Sequence, residues 1–276
     1  MSSIFLLTAG DDQFTISPDL QTDVLALGGN DWVIGSSVSD TINGNQGNDT
    51  LQGLGGGDRI WGGQDFDSIE GGEGADTLNG NRGFDFVNGD GGNDILRGGQ
   101  DADLLVGGVG NDSIFGDRGT DFLAGNGGSD VLVLSFISPE ADPFGAEADT
   151  ILDFQGTERD RIGLPPGLTE ADLLLTPVTV VIDDVLSDEL LTAVIEVQNL
   201  GFTPDQLRAL LTPAAIRQVF QDFTGVDVDP NGNGIIEGTE IRIAATGQII
   251  GRSVNTTASD LAGGFITLSP DELALG

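Results

Sequence analysis

The sequence contains no cysteine, no histidine and no tyrosine, and all ten of its basic residues are arginine, so lysine is missing too. Without Cys or His there is no thiolate or imidazole to hold zinc, haem iron or an iron–sulfur cluster. The same gap removes Ser-His-Asp and Cys-His nucleophilic machinery. Without lysine there is neither a Schiff-base amine nor a P-loop phosphate ligand. Apolar runs fall far short of the roughly 18 residues that a membrane-spanning helix needs, so no membrane span is expected. Met1 to Gly10 has a short apolar patch at Ile4 to Leu7 and no basic lead-in, so no cleavable signal peptide is expected either.

What is abundant is acid and glycine. Asp and Glu number 45, the net charge is −35, and there are 44 glycines. A charge of that sign repels nucleic acid, so no nucleic-acid partner is expected. It also opposes collapse. Yet 38% of the residues are apolar, which is not the composition of a disordered chain. The combination fits a protein that folds once its charge is neutralised. The chemistry left to it is that of carboxylates, main-chain carbonyls and the cations they attract.

A nine-residue period runs without slip from Gly35 to Val133, each unit reading G-x-x-G-x-D-x-U-x with U a large aliphatic. Position one holds Gly35, Gly44, Gly53, Gly62, Gly71, Gly80, Gly89, Gly98, Gly107, Gly116 and Gly125. Position six holds Asp40, Asp49, Asp58, Asp67, Asp76, Asp85, Asp94, Asp103, Asp112, Asp121 and Asp130. Position eight holds Ile42, Leu51, Ile60, Ile69, Leu78, Val87, Leu96, Leu105, Ile114, Leu123 and Leu132. A degenerate unit with Asp31 and Val33 precedes them. D-x-U-x reads as a short strand with U pointing inward, and the glycines read as the turn where φ is positive. One aliphatic per strand is too little to bury alone, so the units must stack. Two units make an 18-residue coil with one strand on each of two opposing parallel sheets.

Aspartates 18 residues apart then share an edge in successive coils. At a strand spacing near 4.8 Å two bare carboxylates repel by roughly 1 kcal/mol in water and about 3–4 kcal/mol at an effective dielectric near 20. Residues 35 to 133 carry 17 acids against four arginines, so internal ion pairs cannot cancel this. A cation must sit between coils. An all-oxygen donor set suits Ca²⁺, whereas Mg²⁺ keeps its waters and demands a rigid octahedron. The competing reading is a solenoid that uses Asp as a strand stop and binds nothing.

Units such as Gly71-Gly72-Glu73-Gly74-Ala75-Asp76-Thr77-Leu78-Asn79 and Gly107-Gly108-Val109-Gly110-Asn111-Asp112-Ser113-Ile114-Phe115 resemble the RTX (repeats-in-toxin) family of secreted bacterial proteins. The resemblance implies a right-handed parallel β-roll with Ca²⁺ held between a loop and the loop two units on. Its ligands would be the position-six carboxylates and glycine-loop carbonyls such as those of Gly44, Gly53, Gly62, Gly71, Gly80, Gly89, Gly98, Gly107 and Gly116. The resemblance also implies type I secretion with an uncleaved C-terminal signal. Departures at Ser36, Asn45, Leu54 and Asp90, and Val38 at position four, make the terminal sites the weakest matches.

The expected fold is mainly β: an N-terminal cap over 1–34 with Phe14 and Trp32 on the open end, the roll over 35–134, a β-rich C-terminal cap over 135–212, and an α-containing segment over 213–276. The cap begins with Ala148 to Phe154 and Asp160 to Leu164, segments similar to those that end many RTX rolls. Strands are expected at Leu173 to Ile182 and Leu191 to Val197, and a short helix at Thr203 to Leu211. In the last segment Asp229, Asn231, Asn233, Ile235 and Glu240 fit an EF-hand loop, with Gly234 at the turn and a helix from Ala214 to Phe223 before it. The β-branched run from Ile241 to Ile250 argues against an exit helix.

One outward face turns apolar at Phe86, Leu104 and Phe122, with Val106 and Ala124 beside them. Either residues 135 to 276 fold over it, or it is a self-association or cell-surface partner site. The expectation for function is a secreted, extracellular or cell-surface calcium-binding structural protein, not an enzyme. The alternatives are a carboxylate-based carbohydrate-active enzyme or its accessory module, and an ice-binding solenoid, which the irregular outward columns oppose.

Overall fold

The structure is a computed structural model, and it describes residues 3–134, 148–181, 217–218, 221, 224–228, 230–231, 235–246 and 248–269. Two sheets face each other across one core. In spatial order the first contains Ser3–Leu6, Thr22–Leu25, Thr41–Gln46, Arg59–Gln64, Thr77–Arg82, Ile95–Gln100, Ser113–Arg118, Val131–Val133, Arg161–Leu164 and Phe265–Thr267. The second contains Gln13–Thr15, Trp32–Ser36, Thr50–Gly55, Ser68–Glu73, Phe86–Gly91, Leu104–Val109, Phe122–Gly127, Asp149–Asp153, Ile249–Val254, Ile235–Ile243 and Leu173–Val181. Through the repeats every pairing is parallel and joins residues 18 apart, as in Ile42 with Ile60 and Leu51 with Ile69. This is a β-solenoid of nonapeptide units.

The strands are longer than the sequence pattern implies. Thr50–Gly55 runs from position seven of one unit to position three of the next, so Leu51 and Gly53 both point inward while Thr50 and Gln52 point out. The core is therefore a stack of single aliphatics alternating with glycines. Residues Ile42 through Leu132 at position eight are all 0% exposed, each contributing roughly 1.5–3 kcal/mol on burial. The position-one glycines are not turn residues. The positive φ values fall instead at position two, as at Asn45, Leu54 and Gly72, and at position four, as at Gly47, Gly74 and Gly92.

At the N-terminal end, residues 1–34 supply further strands of the same two sheets. Phe14 packs on the end of the core and against Phe5. Trp32 does not cover the end. It lies outward in its strand, 47% exposed, between Gln13 and Thr50. At the other end Asp149–Asp153 and Arg161–Leu164 form one more coil, and Ile249–Val254 and Phe265–Thr267 another. The second sheet then closes with two antiparallel strands, Ile235–Ile243 and Leu173–Val181.

As the β-branched run led one to expect, the segment after the EF-hand-like loop is strand and not an exit helix, and it pairs on both sides with Leu173–Val181 and Ile249–Val254. The apolar outward face is not a free docking surface: Leu104 and Phe122 are 4% and 6% exposed, Phe86 is half-buried, and Gly225 lies against Asn126 of the last repeat. The rest of the chain covers it. Leu191 to Val197, Thr203 to Leu211 and most of Ala214 to Phe223 lie outside the described residues, as do Asp229, Asn233 and Gly234.

Candidate metal centre

Position six is the last loop residue before each strand, and the strand register places its side chain against the coil ahead. From Asp40 to Asp112 each aspartate N–H donates to Oδ1 of the aspartate 18 residues later, at 2.6–2.9 Å. The carbonyl of the same aspartate accepts from that later coil, as Asp49 O does from Ser68 N–H. The result is one carboxylate ladder along each edge, with every member buried.

The other oxygen has no partner. Oδ2 of Asp49, Asp58, Asp67, Asp76, Asp85, Asp94, Asp103, Asp112, Asp121 and Asp130 is buried without a hydrogen bond. Each of these atoms occupies the space over the position-one glycine of its own unit, where a Cβ built at Gly44 or Gly80 would strike Asp49 or Asp85. That is why position one must be glycine, although its φ is unexceptional. Burial pushes Asp49, Asp58 and Asp94 up to about 7, and Asp112 and Asp130 to about 6. Asp67 reaches about 9, through burial first and then the charge of Asp85. Asp85 reaches about 8. Asp103 and Asp121 go well above the carboxylate range, through burial and then the charges of Asp85 and Asp149 respectively. An unpartnered buried oxygen of this kind costs free energy unless something coordinates it.

The glycine loops bring main-chain oxygens to the same edges. A Cβ at Gly74, Gly92 or Gly110 would fall on the carbonyl oxygen of Gly56, Gly74 or Gly92 in the preceding coil. Among the described residues no three Asp, Glu, His or Cys side chains converge on one point. An ion here draws its ligands from single carboxylates and from carbonyls, a hard and adaptable oxygen set that fits Ca²⁺.

The RTX calcium-binding nonapeptide repeat model matches this stretch in four copies, at residues 25–60, 34–69, 70–105 and 98–132. Residues 25–132 are a run of RTX repeats, and these repeats bind Ca²⁺. No curated protein matches the chain.

The RTX ladders continue beyond the matched repeats. Asp12 N–H donates to Asp31 Oδ1 and Asp31 N–H to Asp49 Oδ1, both at 2.8 Å. At the far end Asp121 N–H reaches Asp149 and Asp130 N–H reaches Asp160, each at 3.1 Å. Asp153 also joins, accepting from Gly125 and Asn126 N–H, and burial pushes it up to about 7. The D-x-U pattern survives at Asp12-Gln13-Phe14, Asp149-Thr150-Ile151 and Asp160-Arg161-Ile162. A search for an 18-residue register misses the last two, since their separations are 28 and 30.

Asp40 is the exception among the eleven repeat aspartates. Ser36 donates to its Oδ2 from both N–H (2.9 Å) and Oγ (2.7 Å). The loop that departs from the glycine pattern at Ser36 and Val38 thus satisfies its own carboxylate. Of the EF-hand-like residues, Asn231 lies in a turn, Ile235 opens a strand, and Glu240 is half-enclosed by arginines. Glu240 Oε1 accepts from Arg242 Nε at 2.6 Å, and Oε2 lies 3.6 Å from Arg252 Nε. Both of its oxygens face guanidinium groups, so it is not placed to chelate a cation.

Proposed function

We propose that this RTX chain is a secreted or cell-surface structural protein whose function is to fold where calcium is plentiful. The observation that carries the reading is the column of buried Oδ2 atoms with no partner. Aspartates 49 to 130 at position six, with carbonyls of the loops around Gly44 to Gly116, would hold the ions. Bound calcium would supply the positive charge and the coordination that these oxygens lack. Where calcium is submicromolar the carboxylates repel and the chain stays open, a state suited to a type I secretion channel. Where calcium is millimolar the free energy of binding becomes free energy of folding. The same physics assigns the roll a structural rather than a catalytic task.

The test is circular dichroism of the full chain. In EGTA at neutral pH the spectrum should lose its β signal over the roll, and millimolar Ca²⁺ should restore it while equimolar Mg²⁺ should not. A chain equally β-structured in EGTA and in calcium would refute the reading.

A further inference from the structure

The two edges of the roll differ at position four. On the edge leading into the first sheet this position is glycine at Gly56, Gly74, Gly92, Gly110 and Gly128. On the other edge it alternates: Gly47, Asp65, Gly83, Asp101, Gly119. Asp65 and Asp101 take the left-handed backbone of their glycine neighbours, at φ 74° and 76°. That conformation disfavours any residue with a Cβ, so glycine would be the easier choice. Neither carboxylate gains anything from within the protein, since both are exposed and neither makes a hydrogen bond or ion pair in the described residues.

Their placement is regular. The carbonyl of Asp65 faces Gly83 and that of Asp101 faces Gly119 in the next coil, where a Cβ would collide. The carboxylates lie within electrostatic reach of the ladder: Asp65 acts on Asp49 and Asp67, Asp101 on Asp85 and Asp103. Because Asp and Gly alternate, each of the four gaps between the loops of Asp49, Asp67, Asp85, Asp103 and Asp121 is bounded by a single position-four aspartate. Two such residues in adjacent coils would repel at one strand spacing, and alternation avoids this. The five ladder aspartates of this edge plus Asp65 and Asp101 give seven carboxylates to four gaps. The opposite edge, from Asp58 to Asp130, gives five ladder carboxylates, plus Asp90 at position two, which acts on Asp76 and Asp94 but is tied to Asn88 Nδ2. Oxygen-cage affinity for Ca²⁺ rises with the number of charged ligands. The second independent sign of a ligand is the buried, unpartnered Oδ2 of the adjoining Asp49, Asp67, Asp85 and Asp103.

We infer that Asp65 and Asp101 are additional calcium ligands, which make the edge leading into the second sheet the high-affinity edge of the roll, filled before the other. This rests on the reading that the loops hold ions between coils.

The experiment is calorimetric titration of the full chain with CaCl₂, with ions per chain counted by native mass spectrometry. The wild type should bind in two classes. Asp65→Gly with Asp101→Gly installs the residue found at the equivalent positions, so folding is preserved and backbone strain is relieved. The variant should nevertheless lose the tight class, with affinity about tenfold weaker or more and the total ion count at saturation unchanged. Asp65→Asn with Asp101→Asn, which keeps the left-handed backbone and a neutral oxygen, should fall between. Asp90→Gly serves as the control: it is also left-handed, but its carboxylate is held by Asn88 Nδ2 at 2.7 Å, and it should change affinity by no more than about twofold. Unchanged or tighter binding in the glycine pair overturns the inference and leaves the roll's calcium dependence standing. A wild type that takes up no calcium overturns the underlying reading, and this inference with it.

Discussion

The repeats and the closing segments share two continuous sheets but are held by different forces. In the repeats, the buried aspartates from Asp49 to Asp130 meet no cation among the described residues, and burial drives their proton affinity upward. In the closing segments acids are answered locally. Glu240 meets Arg242 and Arg252, and Asp172 and Asp260 close capping boxes on Thr169 and Thr257 that hold their carboxyls below the usual range. The apolar side differs as well. A repeat coil buries one aliphatic per strand, while the end packs Phe154, Ile241, Ile243, Ile250 and Leu261 together. One region answers these acids with its own side chains and the other is written for an added ligand.

The largest effect that would sharpen this contrast is on pH. In the calcium-free chain, burial raises the folded-state values of Asp49, Asp58, Asp67, Asp85, Asp94, Asp112 and Asp130 to between about 6 and about 9, and those of Asp76, Asp103 and Asp121 upward as well. Their neutral forms favour the fold, so roll stability is highest below the unfolded value and is lost as pH rises through the raised values. Asp172 and Asp260 are lowered, so their contribution is present above 3.8 and is lost only as pH falls below it. In EGTA, acidification from pH 8 to pH 4.5 should therefore recover protection against hydrogen exchange in residues 41–132 without loosening residues 249–267. Recovery in both or in neither would break the distinction.

Next in size is Leu78→Ala, which empties a fully buried column position. It should cost about 2–5 kcal/mol in the calcium-loaded protein, read as a shift in the denaturation midpoint. The calcium concentration needed for folding should rise in step, since folding and binding are linked. The smallest effect is expected from Thr257→Ala. Losing its capping box should cost about 0.5–2 kcal/mol, and the calcium midpoint of the roll should stay where it is.

Much of this was legible in the primary structure. The unbroken columns of Asp and aliphatic residues dictate stacking, edge placement and the need for a cation. The function of Gly53 or Gly80 was not, because a glycine that makes room for a carboxylate looks the same in sequence as one that makes a turn. The ladder's extension to Asp149 and Asp160 was hidden by the chain inserted ahead of each, which breaks the period while the pairing survives. Within the EF-hand-like spacing from Asp229 to Glu240, the described residue Glu240 has surroundings that its spacing did not foretell. The ligand spacing matches a calcium motif, but the Ile-rich stretch that contains Glu240 prefers a sheet, and two arginines then claim the carboxylate. Phe86, Leu104 and Phe122 were correctly seen to face outward. Outward from the strand is not outward from the molecule, and only the folded chain shows that they are covered.

The aspartate-to-aspartate bonds of the two ladders all point one way. Each aspartate N–H is satisfied by the coil that follows it in sequence, never by the one before. A terminal coil lacking its successor is left with an open amide at position six, and one lacking its predecessor with an open amide at position seven, whose N–H reaches back to the earlier aspartate's carbonyl. The stack thus has a built-in polarity: at its C-terminal end Asp149 and Asp160 stand in for a further repeat and answer the amides of Asp121 and Asp130, so the two ends call for different finishing pieces.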